Sequence, residues 1–299
     1  MNKKLFRGYV MVILSAVLYG LMPLMANHIK ADGANSYTLV FLRNALSLPL
    51  LAGLALWQQK TLAVPVRELP TISLAALFGC CVTPVLLYLS YESIDSGTAT
   101  VFHFVYPALV VLGGALFLKQ KPRAGTVMSV LVCVGGIALF FDPAKPVAWE
   151  GSSLALLSGG TFATYVLLLS VFANRRTKGF LFAFYVAVVC TVAMAIFCWC
   201  TGLFAFPQSL KGWLLSFLFA ALINGCATVL FQQGTFLVGG QRASILSTME
   251  PITGVVVGAI WLGEFAGKSA GSIVRTVIGS VLVVAATVMI ALFDSKKEK

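Results

Sequence analysis

Ten long apolar segments, separated by short polar links and divisible into two sets of five, limit what this chain can fold into. They run over 8–27, 36–57, 69–91, 96–118, 124–141, 151–173, 179–203, 212–238, 243–263 and 272–293, each close to the roughly 20 residues that a helix needs to cross a bilayer. The links carry turn chemistry, as at Asp32-Gly33, Asp142-Pro143, Gly202 with Pro207, and Gly239-Gly240, and none is long enough to hold a soluble domain. With 59% hydrophobic and 10% charged residues and a mean hydropathy of +0.95, the chain has more apolar surface than one water-soluble core can hide. The sequence predicts an all-α integral membrane protein with ten transmembrane helices.

A net charge of +11 raises the question of a nucleic-acid partner, but the lysines and arginines do not gather on one face. They follow the alternation of links. With the N-terminus cytoplasmic, the inside segments hold Lys3, Lys4, Arg7, Lys60, Arg67, Lys119, Lys121, Arg123, Arg175, Arg176, Lys178, Arg242, Lys296, Lys297 and Lys299, which is 15 of the 21. Lys30, Lys145, Lys211, Lys268 and Arg275 fall outside, and Arg43 lies within a span. This is the positive-inside pattern, and it predicts that both termini are cytoplasmic. The first apolar run is too long for a signal peptide and reads as the first spanning helix. Six of the seven cysteines (Cys80, Cys81, Cys133, Cys190, Cys198 and Cys226) sit well inside spans and Cys200 near a span end, which suits small apolar filler and implies neither a disulfide framework nor a zinc site.

Sliding the chain by 144 residues sets Pro107 on Pro251, Ala99 on Ala243, Gly114 on Gly258, Ala115 on Ala259 and Leu118 on Leu262. A slide of 143 sets Gly8 on Gly151, Leu14 on Leu157 and Ser15 on Ser158. The chain therefore reads as two halves, 1–146 and 147–299. Five spans is an odd number, so the second half enters the membrane from the opposite face, giving two inverted five-helix repeats with a site expected at the midplane between them.

The chain resembles the EamA-type, ten-helix branch of the drug/metabolite transporter superfamily over essentially its whole length. The residues that carry the resemblance are the small and aromatic positions from Gly8 to Gly20, Arg43 early in the second span, Pro107 in the fourth, and Glu250-Pro251 followed by Leu262-Gly263-Glu264 in the ninth. Two departures stand out: Lys119-Gln120 where the family often has Gly-Glu, and Tyr106 at the place of Glu250. The resemblance implies export of amino acids or related metabolites through a central cavity lined by spans 1, 3, 4, 6, 8 and 9.

Several embedded polar residues are candidates for that work. Glu250 is costly in hydrocarbon and must face a cavity or a partner. It is the candidate coupling residue, through protonation or contact with a cationic group, against a purely structural role beside Pro251, which removes one backbone hydrogen bond. Thr100, His103 and Tyr106 share a slanted helix face and map onto Ser244, Ser247 and Glu250. His103 titrates near physiological pH when unperturbed, although a lone histidine in a helix is more often a neutral, hydrogen-bonded packing residue. Tyr19, Tyr88, Tyr91 and Tyr165 offer flat apolar faces with a hydroxyl, and Asn224, Gln232 and Gln233 offer neutral donors and acceptors, with at most one of the adjacent glutamines in contact with solute. Arg43 lies about 10 Å into the second span at 1.5 Å per residue and needs a partner. Glu92 is the candidate, as a structural clamp, with recognition of an anionic solute group as the alternative. Pro107 and Pro251 are structural or gating candidates. Paired glycines, among them Gly113-Gly114, Gly135-Gly136, Gly159-Gly160 and Gly254 with Gly258, suit close helix approach.

The chain has no Walker loop, no His-Glu-x-x-His and no Asp-rich box. The expected function is therefore a secondary carrier with no ATP-driven step, no cofactor and no metal, with a small-molecule solute, the bilayer and candidate coupling protons as partners and with a single chain sufficient. A membrane enzyme acting on lipids needs clustered reactive groups that the scattered polar residues do not supply. Nucleosides, vitamins and organic cations stand as alternative solutes to a neutral or aromatic amino acid.

Overall fold

The computed structural model describes residues 3–94, 96–120, 123–139, 148–173, 177, 179–253 and 270–295. Among these, all regular structure is helical. We label the helices α1 (Lys3–Ala31), α2 (Ser36–Gln59), α3 (Val66–Ser93), α4 (Ser96–His103 with Tyr106–Phe117), α5 (Ala124–Ala138), α6 (Trp149–Phe172), α7 (Gly179–Thr201), α8 (Leu210–Val238), α9 (Gly240–Leu246, continuing over 249–253) and α10 (Ala270–Ser295). Six of them, α1, α2, α3, α6, α7 and α8, are long and apolar enough to cross a bilayer, and α4, α5 and α10 contain shorter apolar helices. Gly254, Gly258, Trp261, Leu262-Gly263-Glu264 and the basic residues Lys121, Lys145, Arg175, Arg176, Lys178 and Lys268 lie outside the described residues.

Four helices are interrupted ahead of a proline. Turns at 20–21, 46–47, 104–105 and 247–248 precede Pro23, Pro49, Pro107 and Pro251. The cause is common to all: proline has no N–H to give, and its ring collides with the carbonyl four residues back. Two other helices widen into π turns, α3 over Ala76–Val82 and α8 over Ala220–Thr228. These occupy matching places in the two halves, and each closes on a threonine whose hydroxyl donates to the carbonyl five residues back, Thr83 to Phe78 at 2.6 Å and Thr228 to Ile223 at 2.9 Å. Nothing in the apolar pattern announces them.

The helices pair mostly across the halves. α1 packs on α8, α3 on α6, α2 on α7, α4 on α9 and α5 on α10. Exchanging the halves turns the α1–α8 contact into the α6–α3 contact and leaves the other three unchanged, the pattern of two repeats related by a two-fold axis. Glycine permits the closest of these approaches. A Cβ built on Gly234 would lie 2.5 Å from Val12 Cγ2, and one on Gly136 would lie 2.9 Å from the Gly279 carbonyl oxygen. Large apolar residues including Leu116, Phe117, Leu131, Ile196 and Val281 are exposed around the bundle, and a surface of this kind is suited to acyl chains. Trp57, Trp149 and Trp199 are exposed close to helix ends, where amphipathic rings settle at a membrane interface.

Candidate functional site

The breaks of α1, α4 and α9 and the π turn of α3 meet at a cavity of about 40 Å³. Tyr19 and Met22 reach it from the break in α1, Arg43 from α2, and Gly79, Thr83, Pro84 and Leu87 from the π turn of α3 and just beyond. His103 arrives from the break in α4, Phe162 from α6 and Glu250 from α9. This volume holds a water or two and is far below the ~300 Å³ at which small-molecule sites begin, so in this conformation the helices must part to admit a metabolite.

Arg43 is fully enclosed, and its guanidinium is satisfied by neutral groups. Its Nε and Nη2 both donate to Asn224 Oδ1, at 3.0 and 2.8 Å, and its Nη1 donates to the Tyr88 hydroxyl at 3.1 Å. Asn224 is held in turn: its amide donates to Asn44 Oδ1 at 2.8 Å and to Ser47 Oγ at 3.4 Å. The π turn of α8 therefore delivers an amide from the second half to an arginine of the first. The expected Arg43–Glu92 pair is not formed. Glu92 takes Lys30 Nζ at 2.8 Å and Ser36 Oγ at 2.7 Å. It sits twelve residues past the π-turn residue Cys80, at the far end of α3 and about half exposed, too far along the helix to meet a charge at the depth of Arg43.

The two π-turn threonines also reach across the halves in parallel fashion. Thr83 meets Thr161 of α6 at 2.6 Å, and Thr228 meets Tyr19 of α1 at 2.7 Å. On the other wall, His103 Nδ1 lies 2.8 Å from Ser158 Oγ, and Ser158 donates to the Ala155 carbonyl at 2.6 Å. That arrangement is completed by a proton on His103 Nδ1, which leaves Nε2 an acceptor. The His103 ring packs against Phe104, Tyr106 and Phe162. Helix α6 approaches this break because residue 159 is glycine: a Cβ there would lie 2.6 Å from the His103 carbonyl oxygen.

The two polar stripes expected to face each other do meet, since the Tyr106 hydroxyl bonds Ser247 Oγ and donates to the Ser244 carbonyl at 3.4 Å. Tyr19, Arg43, His103 and Glu250 line the cavity. Tyr88, which is not among the lining residues, receives a hydrogen bond from Arg43 and packs its ring against Tyr91, and the Thr100 hydroxyl donates to the Ser96 carbonyl. Tyr165 lies against Gly79 and receives a hydrogen bond from Gln232 at 3.0 Å, whereas Gln233 is off the cavity. Pro107 and Pro251 are buried behind the breaks they cause. Met22, Gly79, Thr83, Pro84, Leu87 and Phe162 line the cavity without having been singled out in the sequence. Thr83 with its near-repeat mate Thr228, 145 residues on, is the signal that would have found the π turns.

The model of the EamA-like transporter family matches this chain twice, over residues 6–142 and 149–292. An uncharacterized inner membrane transporter of Salmonella typhimurium, YicL, is 22% identical over 300 residues, covering 97% of each chain. An uncharacterized transporter of Bacillus subtilis, YwfM, is 24% identical over 249 residues, covering 78% of this chain and 79% of that one. A solved crystal structure superimposes with a TM-score of 0.74 at 17% identity, over 98% of this chain and 99% of that chain, and shows the same fold. A multi-pass bundle of two repeats, with a polar cavity where they meet and the family match falling once on each repeat, belongs to the EamA-like transporters of the drug/metabolite transporter superfamily.

Proposed function

We propose that this protein is a secondary carrier that exports amino acids or closely related small metabolites by exposing the central cavity alternately to the two faces of the membrane. The reading places both termini in the cytoplasm, treats 1–146 and 147–299 as the two moving halves, and needs neither a nucleotide nor a second chain. One observation carries it: a cation from the first half, Arg43, and an acid from the second, Glu250, line one small cavity together with the rings of Tyr19 and Phe162. An arginine matches a carboxylate, a glutamate matches an ammonium group and the rings match a side chain, which is the pattern of a zwitterion.

The test is counterflow in proteoliposomes of purified protein, across neutral and aromatic amino acids, nucleosides and organic cations at two pH values. Saturable exchange of amino acids is expected, with loss of its pH dependence in Glu250→Gln. Exchange of nucleosides or cations alone would overturn the solute class, and single-channel currents would overturn the carrier.

A further inference from the structure

Helix α8 carries a polar stripe that continues past the cavity. Asn224, Thr228, Gln232 and Thr235 follow at i, i+4, i+8 and i+11, one face of the helix, and all four are buried. The first two are fully partnered, by Arg43 with Asn44 and by Tyr19 with Ile223. The last two are not. Gln232 Oε1 and Thr235 Oγ1 are sealed from solvent with no hydrogen-bond partner among the described residues, although both residues are 0% exposed. Rotating the Gln232 amide does not cure this, because Tyr165 then takes the oxygen and leaves the nitrogen alone. Thr235 shares its unpartnered hydroxyl with Thr177 and Thr191, but not with other helical threonines of comparable setting. Thr164, Thr253 and Thr276 each return a hydroxyl to the carbonyl four residues back, at 3.1, 3.1 and 3.0 Å.

Leaving a buried polar atom without a partner is costly, so two of them on one helix face call for a second state in which they are paired. Their position says which state. Thr235 lies seven residues beyond Thr228, about 10 Å along the helix, toward the face on which Gly8 meets Val238 and the chain begins. Beside Gln232, which donates to the Tyr165 hydroxyl, Phe162, Tyr165 and Phe231 form an aromatic layer, with Phe162–Phe231 centroids 5.5 Å apart and Tyr165–Phe231 6.3 Å apart. Phe162 is also the ring that lines the cavity. Resting on the carrier reading above, we propose that Gln232 and Thr235 form a second solute-contacting station on the N-terminal side of this aromatic layer, closed here and wetted when the layer opens. The stripe contributes an amide and a hydroxyl and no charge, so it suits the hydrogen-bonding groups of a neutral or zwitterionic solute in transit and would hold a solute ion only weakly.

The probe is a thiol reagent, methanethiosulfonate ethyltrimethylammonium, applied to Thr235→Cys in phosphatidylethanolamine–phosphatidylglycerol proteoliposomes, with each cysteine read separately by mass spectrometry. Cys190, buried and donating to the Ala76 carbonyl, is the internal standard for a sealed thiol. The expected result is labelling at 235 at least about tenfold faster than at Cys190, since a site wetted even a few per cent of the time reacts in proportion to that population. Labelling at 235 no faster than at Cys190 overturns the station. If Thr235→Cys does not assemble, Gln232→Cys is read by the same criterion. Wild-type counterflow is measured in the same vesicles: its absence counts against the carrier, whereas its presence with an unlabelled 235 counts against the station alone.

Discussion

Arg43 is a buried cation held by neutral partners, and the Asn224 oxygen that takes two of its N–H groups comes from the other half of the molecule. Removing one partner of a buried charge costs roughly 3–5 kcal/mol, because the charge is left without compensation. Asn224→Ala is therefore expected to lower the unfolding midpoint in detergent by many degrees, and Arg43→Gln to lose most of its penalty when placed on that background. Arg43→Gln with Glu92→Gln should instead be additive within about 0.5 kcal/mol, since the two groups share no direct contact. The depth of Arg43 made the need for a partner legible in the sequence, but not the partner, which lies 181 positions away in a stretch with no charge to mark it. Asp32, in the link after α1, behaves differently. Hydrogen bonds from Ser209, backbone first, hold its carboxyl below the ordinary carboxylate range. A lowered folded-state value contributes stability above the unfolded value of about 3.9 and loses it as the pH falls through the folded one. Asp32→Asn should accordingly destabilise the protein at pH 7 by thermal unfolding, with a difference from wild type that shrinks as the pH is lowered below the ordinary carboxylate range.

At the scale of the helix, close approach and local widening do different jobs. The α1–α8 crossing depends on the absence of side chains at Gly8 and Gly234, where an added Cβ would meet Val238 Cγ1 at 2.5 Å and Val12 Cγ2 at 2.5 Å. Overpacking of this kind costs about 1–3 kcal/mol. Gly234→Val is expected to lower the unfolding midpoint measurably, whereas Gly53→Ala, whose Cβ meets nothing within 4 Å, should not. Each π turn ends on a threonine hydroxyl that caps a freed carbonyl, so Thr228→Val releases both the Ile223 carbonyl and Tyr19. It should slow exchange severalfold while Thr228→Ser retains it. The spans themselves were legible because about 20 apolar residues have no other use in a chain this hydrophobic, and the break beside Glu250 was legible from Pro251. The π turns were not, because they differ from regular turns in the register of backbone hydrogen bonds, i to i+5 in place of i to i+4, which a run of apolar residues does not encode.

At the scale of the whole molecule, the cavity is a consequence of inversion. Helices α1 and α6 play the same part on opposite sides of it, each bonded to the π-turn threonine of the other half, Tyr19 to Thr228 and Thr161 to Thr83. Two halves related this way enter the membrane from opposite faces only if each crosses an odd number of times, which returns the chain's two ends to one side. The duplicated spacing made this arrangement legible, while the contacts that weld the halves were hidden because they join residues far apart in sequence. With the proposed cytoplasmic termini, the inversion assigns each link to one face of the membrane. Cys200, exposed at the end of α7, should share a face with the α1–α2 link, and Lys60, at the start of the α2–α3 link, should lie on the other with both termini. In a Cys226→Ala background, a membrane-impermeant maleimide applied to intact cells should label Cys200 and spare Lys60→Cys, and permeabilisation should make both reactive. Equal labelling of the two in intact cells, or terminal tags on opposite faces, would break the inverted pairing and with it the shared cavity, because Arg43 and Glu250 would then belong to halves with no reason to converge.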